Sequence, residues 1–203
     1  MSEGSKDAAI LIAVSYQALM RALENDEERL FTDCTVMLLF AGYYVEASLN
    51  YILDTTGKDI KAFPVSANCS HGKSILGLYH KLSFFYNEFI SNSRVSNWAD
   101  LQRNIGEQLL DKTFPGYGAL RDFRNDVSHG VINLSALDFE VAKSIRLQAK
   151  ALVNHLYKVT EAKGYTIERL TTYKKAIAAI NNPSRNKEDY MKTKKFKSVL
   201  ELK

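Results

Sequence analysis

Between residues 121 and 130 the chain reads Arg121-Asp-Phe-Arg-Asn-Asp-Val-Ser-His-Gly130: two Arg, two Asp, an Asn, a Ser and a His within ten residues. A histidine titrates near neutrality and can give or take a proton under ordinary conditions. A guanidinium stays charged and grips phosphate or carboxylate through two parallel N–H bonds. Arg124 and His129 therefore offer proton transfer beside an anion-binding group. Leu120, Phe123 and Val127 recur at i, i+3 and i+7. That spacing predicts a helix over Ala119–His129 with one buried face and its polar residues on an exposed or inter-subunit surface. Five residues span about 140° on an ideal helix, which separates Arg124 from His129. Gly130 lets the helix end there and the imidazole turn back toward the guanidinium. The same residues also fit an ordinary helix C-terminus, where the macrodipole favours Arg and His and a glycine supplies the cap.

Other patterns fall short of chemistry. Ala67-Asn-Cys-Ser-His-Gly-Lys-Ser74 has the loose form of a phosphate-binding loop. Such a loop needs a strand leading in and a helix leading out. The preceding Lys61–Ser66 has Pro64 in its middle, so the segment reads as a polar loop capping a helix. His71, His80 and His155, with Asp59 or Glu88, have neither the HExxH nor the CxxC spacing of a metal site. They read as solvated or core-edge side chains. Asp26-Glu27-Glu28 and Glu188-Asp189 read as helix-end and tail charges, and no G-x-S-x-G elbow marks a hydrolase. Phe84, Phe85, Tyr86 and Phe89 lie at helical spacing and read as core. None of these patterns calls for a metal or a cofactor.

The elements that must carry these residues are helical. Hydrophobic residues make up 46% and charged residues 25% of 203 residues, with three Pro, which excludes disordered and low-complexity chains. Two cysteines, Cys34 and Cys69, exclude a disulfide-stapled scaffold and read as reduced thiols. Apolar periodicity predicts helices over Asp7–Asn25, Glu27–Thr55, Gly72–Ile90, Trp98–Leu110, Ala119–His129, a helix opening at Ser135 and closing before Gly164, and Thr166–Asn181. The second has acidic residues in its first turn, Gly57 just past its end and apolar residues nearly all round, so it is expected at the centre of the core. Phe114–Gly118 reads as a turn, and Ser135–Asp138 has capping-box spacing. No period-2 alternation marks a sheet. The expectation is an all-α, four- to five-helix bundle over residues 1–164, with a basic C-terminal helix and tail over 165–203. The longest apolar run, Val36–Val45, is too short to span a bilayer and no secretory leader precedes it, so a cytoplasmic protein is expected.

Arg124-Asn125-Asp126-Val127-Ser128-His129, followed by Gly130, resembles the signature of the HEPN superfamily of helical domains: Arg, a short spacer, then His, with Asn commonly following the Arg. The layout is similar too. A long early helix with Glu46 inside an apolar run precedes the motif by two helices, and a long helix follows it. The resemblance covers most of residues 7–163. It implies a homodimer whose motif helices meet at the two-fold axis, and often a metal-independent endoribonuclease acting as a toxin or in antiviral defence, alone or with a partner protein. Other members have lost catalysis and serve as binding or scaffolding modules. Under the catalytic reading Arg124 and His129 do the chemistry, Asn125 orients the histidine or meets substrate, and Asp126 and Ser128 support them. Glu46 is a candidate buried polar partner of the motif, the alternative being an exposed position on its helix. Some members regulated by a small nucleotidyltransferase carry Tyr two residues after the His; here Val131 stands there, which puts that form of regulation in doubt.

Charge adds a last expectation. The chain has 27 Lys and Arg against 23 Asp and Glu, a net of +4. Residues 164–203 hold ten of the former and four of the latter, leaving 17 against 19 in the first 163 residues. If RNA is bound, Lys192, Lys194, Lys195 and Lys197 are expected to supply non-specific, salt-sensitive attraction. A solvated basic tail without a partner is the plainer reading.

Overall fold

Twenty-nine residues, Glu27–Thr55, form the helix around which the others are arranged. In this computed structural model residues 27–64, 77–129 and 139–168 are described, with Val14 and Ala18, which are helical; the side chains of 27–32, 124, 125 and 127–129 are not. The elements are α1 (Glu27–Thr55), a 3-10 turn (Ile60–Ala62), α2 (Leu78–Phe89), α3 (Trp98–Asn104), α4 (Glu107–Thr113), α5 (Tyr117–His129) and α6 (Phe139–Ala162). No strand occurs among the described residues, and the fold is an all-α bundle.

The sequence explains why α1 is central. Cys34, Met37, Ala41, Val45, Leu49 and Ile52 are fully buried on one stripe, with Tyr44 and Tyr51 buried on one flank of it and Leu53 on the other. One stripe packs on α6, whose Ala142, Ile145, Ala149, Leu152 and Leu156 repeat at helical spacing and are buried. The segment Asp33–Thr55 is long and apolar enough to cross a membrane by length and composition alone. Here most of that apolar surface is covered by neighbouring helices. Burial also pushes the Tyr44 phenol up to about 12.

Both long helices end in the same six-residue turn. After α1, Gly57 (φ 69°) donates to the Asp54 carbonyl and Lys58 to that of Leu53. After α6, Gly164 (φ 87°) donates to Glu161 and Tyr165 to Thr160. A left-handed residue closes the ladder in this way, and glycine pays no steric penalty for it.

Four boundaries differ from expectation. Gly77 is extended and caps α2, so the helix starts at Leu78, not Gly72. The helix expected over Trp98–Leu110 is two helices. Ile105 turns extended between them, buries its side chain and offers its carbonyl to the Tyr79 hydroxyl at 2.8 Å. α5 starts at Tyr117, two residues early, because only Phe114–Gly116 are needed for the turn. Thr166–Glu168, expected to open a helix, are not helical. The expected helix over Asp7–Asn25, apart from Val14 and Ala18, the cap at Ser135–Asp138 and residues 169–181 lie outside the described residues.

Candidate functional site

The motif helix is seated through its first two turns. Gly116, at φ 80°, lies so near α6 that a Cβ there would stand 2.7 Å from the Gln148 Cβ. Tyr117 follows, fully buried, and Leu120 buries one turn later. The Arg121 guanidinium covers the Tyr117 ring at 5.3 Å. Its Nε donates to Asp122 Oδ1 and its Nη1 to Glu107 Oε2, both at 2.8 Å. Hydrogen bonding to Asp122, above all, holds this guanidinium more firmly protonated than usual. Burial pushes the Tyr117 phenol up to about 12, against the opposing pull of Arg121. Arg121 thus ties α5 to α4, while Gly116 ties it to α6. From the sequence alone Arg121 has no evident role. Its signal is the i, i+4 spacing from Tyr117, hidden because Tyr117 reads as part of a turn.

α5 remains helical through His129, so Arg124, Asn125, Ser128 and His129 are all positions on one helix. Successive positions rise about 1.5 Å, which sets 124 and 129 about 7.5 Å apart along the axis. The side chains of these four residues are outside the described set. Asp126 is exposed. With Asp122 and Glu107, also exposed, it gives the α4–α5 corner a carboxylate-rich surface relieved by Arg121.

Glu46 belongs to the α1–α2 seam. Its Oε2 is 3.5 Å from Lys81 Nζ, and both side chains are mostly buried, at 16% and 13% exposure. An exposed position on its helix is therefore excluded. A pair so shielded holds together better than a surface pair, though each ion still pays for its lost hydration.

The other candidate residues take structural roles apart from one another. Asp59 accepts from the Lys61 backbone and caps the 3-10 turn. Glu88 pairs with Lys58 at 2.8 Å. His80 meets the Trp98 ring edge-on at 5.8 Å, and His155 meets Phe114 at 5.9 Å. Burial lowers the pKa of His155, and the charge of Lys158 lowers it further. Phe84, Phe85 and Phe89 are buried and Tyr86 packs beside them. Among the described residues, no three His, Cys, Asp or Glu gather as a metal site. Cys34 is buried in the core. Cys69, His71, the 67–74 loop, Val131, Lys192, Lys194, Lys195 and Lys197 lie outside the described residues.

Fold and site together define an all-helical bundle that presents a polar, Arg- and His-bearing helix on α1 and α6. No family model matches the chain, and neither the curated proteins nor the solved structures contain a match to it.

Proposed function

We propose that this protein is a cytoplasmic, metal-independent endoribonuclease of HEPN type, acting as a homodimer with a composite site at the two-fold axis. The observation that supports this most is that the whole run Arg124–His129 is helical at the C-terminal end of α5, a helix packed on both long helices of the bundle. A motif on a helix is held in register more precisely than the same six residues on a loop.

The chemistry needs little else. The RNA 2′-oxygen attacks the adjacent phosphorus, and the bond from phosphorus to the 5′-oxygen breaks. One histidine takes the 2′-hydroxyl proton and another gives a proton to the departing 5′-oxygen, leaving a cyclic phosphate and a free hydroxyl. Arg124 stabilises the charge gathered on the phosphorane oxygens. Two-fold symmetry supplies two histidines and two arginines, and the 140° between the positions on one helix suits residues drawn from both subunits. Asn125 orients the histidine or meets the ribose.

A second reading, a non-catalytic dimeric module that binds a partner protein or nucleic acid, is favoured by Glu107, Asp122 and Asp126. These carboxylates stand exposed on and beside the motif helix and repel phosphate.

Incubation with structured and single-stranded RNA in a chelator decides between them. The expected result is cleavage that falls at least about a hundredfold in His129→Ala, the range typical for losing a general acid or base. A folded dimer that cuts no RNA overturns the nuclease reading. A strict monomer by light scattering overturns the composite site.

A further inference from the structure

Arg121 stands between the two columns of the motif. Position 121 comes three residues before 124 and eight before 129 on the same helix. At about 100° and 1.5 Å per residue, the column of 124 lies about 60° to one side of it and that of 129 about 80° to the other. It stands almost one turn nearer the start of α5 than 124. The guanidinium rests on the ring of Tyr117, which is fully buried, so its base is fixed. Its ionic partners are held less firmly. Arg121 is 22% exposed, whereas Glu107 and Asp122 are 57% and 63% exposed. Carboxylates so open to water hold an ion pair weakly and exchange readily for another anion. Their bonds use two of the five N–H groups of the guanidinium, whose planar fork also fits two phosphate oxygens. Two carboxylates against one guanidinium leave this cluster at a net −1. The free protein therefore repels phosphate beside the helix that would have to admit it.

We infer that Arg121 is a second phosphate-binding residue of the motif helix, and that Glu107 is the internal anion it exchanges for the phosphate next to the one held at Arg124. This rests on the ribonuclease reading and adds to it how the strand is held and what opposes its binding. Asp122 adjoins Arg121 in the chain and travels with it. Glu107 comes from α4 and can part from Arg121 without moving α5. The Tyr117 ring keeps the guanidinium in place through the exchange, because a cation is attracted to the face of a ring. The substrate class that follows is a strand with at least one phosphate beyond the scissile one; a dinucleotide with a single phosphate lacks the second anchor.

The test titrates the full-length protein, by fluorescence anisotropy, with a short labelled single-stranded RNA carrying 2′-O-methyl groups, which blocks the attacking hydroxyl and keeps the RNA intact. Arg121→Gln should weaken binding about three- to tenfold across sequences and lower the salt slope by about one. Glu107→Gln should act in the opposite direction and tighten binding about threefold. Added to Arg121→Gln, the Glu107 substitution should change nothing, since the carboxylate acts through the arginine. Should Arg121→Gln not fold, Arg121→Lys takes its place; it keeps the charge and loses the fork, so a smaller loss is expected. A strap between α4 and α5 predicts weaker binding in both single variants, and that result overturns the inference. Equal tightening by Glu107→Gln with and without Arg121 is a general charge effect and overturns it too. So does an unchanged affinity and salt slope in Arg121→Gln; if the wild type still cuts unmodified RNA, the ribonuclease reading then stands alone. A wild type that shows the coupling but cuts no unmodified RNA overturns the ribonuclease reading and leaves Arg121 as a phosphate-binding residue. Binding of no RNA overturns both.

Discussion

The α2–α3 side of the bundle and the α4–α5 corner are built from opposite materials. On the first, Phe63 meets Phe84 and Trp98 edge-on at 5.2 and 5.3 Å, and Phe85 stacks on Phe89 at 4.6 Å. Its polar groups are spent on holding the chain. Asn87, almost wholly buried, takes the Val95 N–H at 2.9 Å and donates to the Val95 carbonyl at 3.2 Å, fixing the loop before α3. Trp98 donates its own N–H to Pro64. At the α4–α5 corner one arginine spans an aromatic ring and two exposed carboxylates, and contact with the core comes from a few residues around Tyr117 and Leu120. Aromatic burial supplies free energy; exposed ion pairs supply little. The contrast teaches that the two sides rest on different forces: aromatic burial on the first, and at the second a guanidinium shared between a ring and two carboxylates above the buried Tyr117 and Leu120.

Three substitutions or conditions probe the contrast. Trp98→Ala empties the centre of the aromatic side and should cost about 3–5 kcal/mol in denaturant unfolding, the range for large core truncations. A loss under about 1 kcal/mol would place the main store of stability elsewhere. Gly116→Ala tests the seat of the motif helix. It forces a side chain into the left-handed region and against α6, and should cost about 2–3 kcal/mol from strain and overpacking. On the ribonuclease proposal, RNA cleavage should fall further than the stability loss explains, because α5 shifts relative to α6. Unchanged cleavage would separate the seat from the function.

The smallest effect concerns pH. Burial lowers the His155 pKa from its ordinary value of 6.5, with Lys158 adding to the shift. The unfolded chain therefore binds the proton more readily than the folded one. The contribution is fully present above pH 6.5 and is lost as pH falls from there toward the folded pKa. Unfolding free energy should decline between neutral and mildly acidic pH, and His155→Asn should reduce that decline. An identical pH profile in the variant would assign the decline to other groups.

Much of the frame was legible in the residues themselves. Glu27–Thr55 is readable at both ends, from acidic residues in its first turn and Gly57 beyond its last, and the observed bounds agree. Gly164 likewise marks the close of α6 within two residues. These signals are local: a helix end needs a cap, and only a few residue types provide one. The split of α3 from α4 was not legible. Nothing in Asn104-Ile-Gly106 forces a break as strongly as Pro would. Ile105 extends because its side chain finds the core and its carbonyl finds Tyr79, twenty-six residues earlier. Asn87 is similarly opaque, since its partner Val95 lies eight residues on, in a loop whose course the sequence leaves open.

The candidate site divides along the same line. Residue types alone nominate Arg124 and His129, since few side chains titrate near neutrality and few grip phosphate in two places at once. Periodicity alone makes their segment helical. Tertiary structure decided that Arg121 is occupied with Glu107, Asp122 and Tyr117, that Glu46 answers Lys81 across the α1–α2 seam, and that Tyr165 folds back onto Phe89. The reason is distance. Caps and helical periods are written within a few residues of one another, whereas ion pairs, close approaches and the course of the chain depend on surfaces that meet only once the helices have packed.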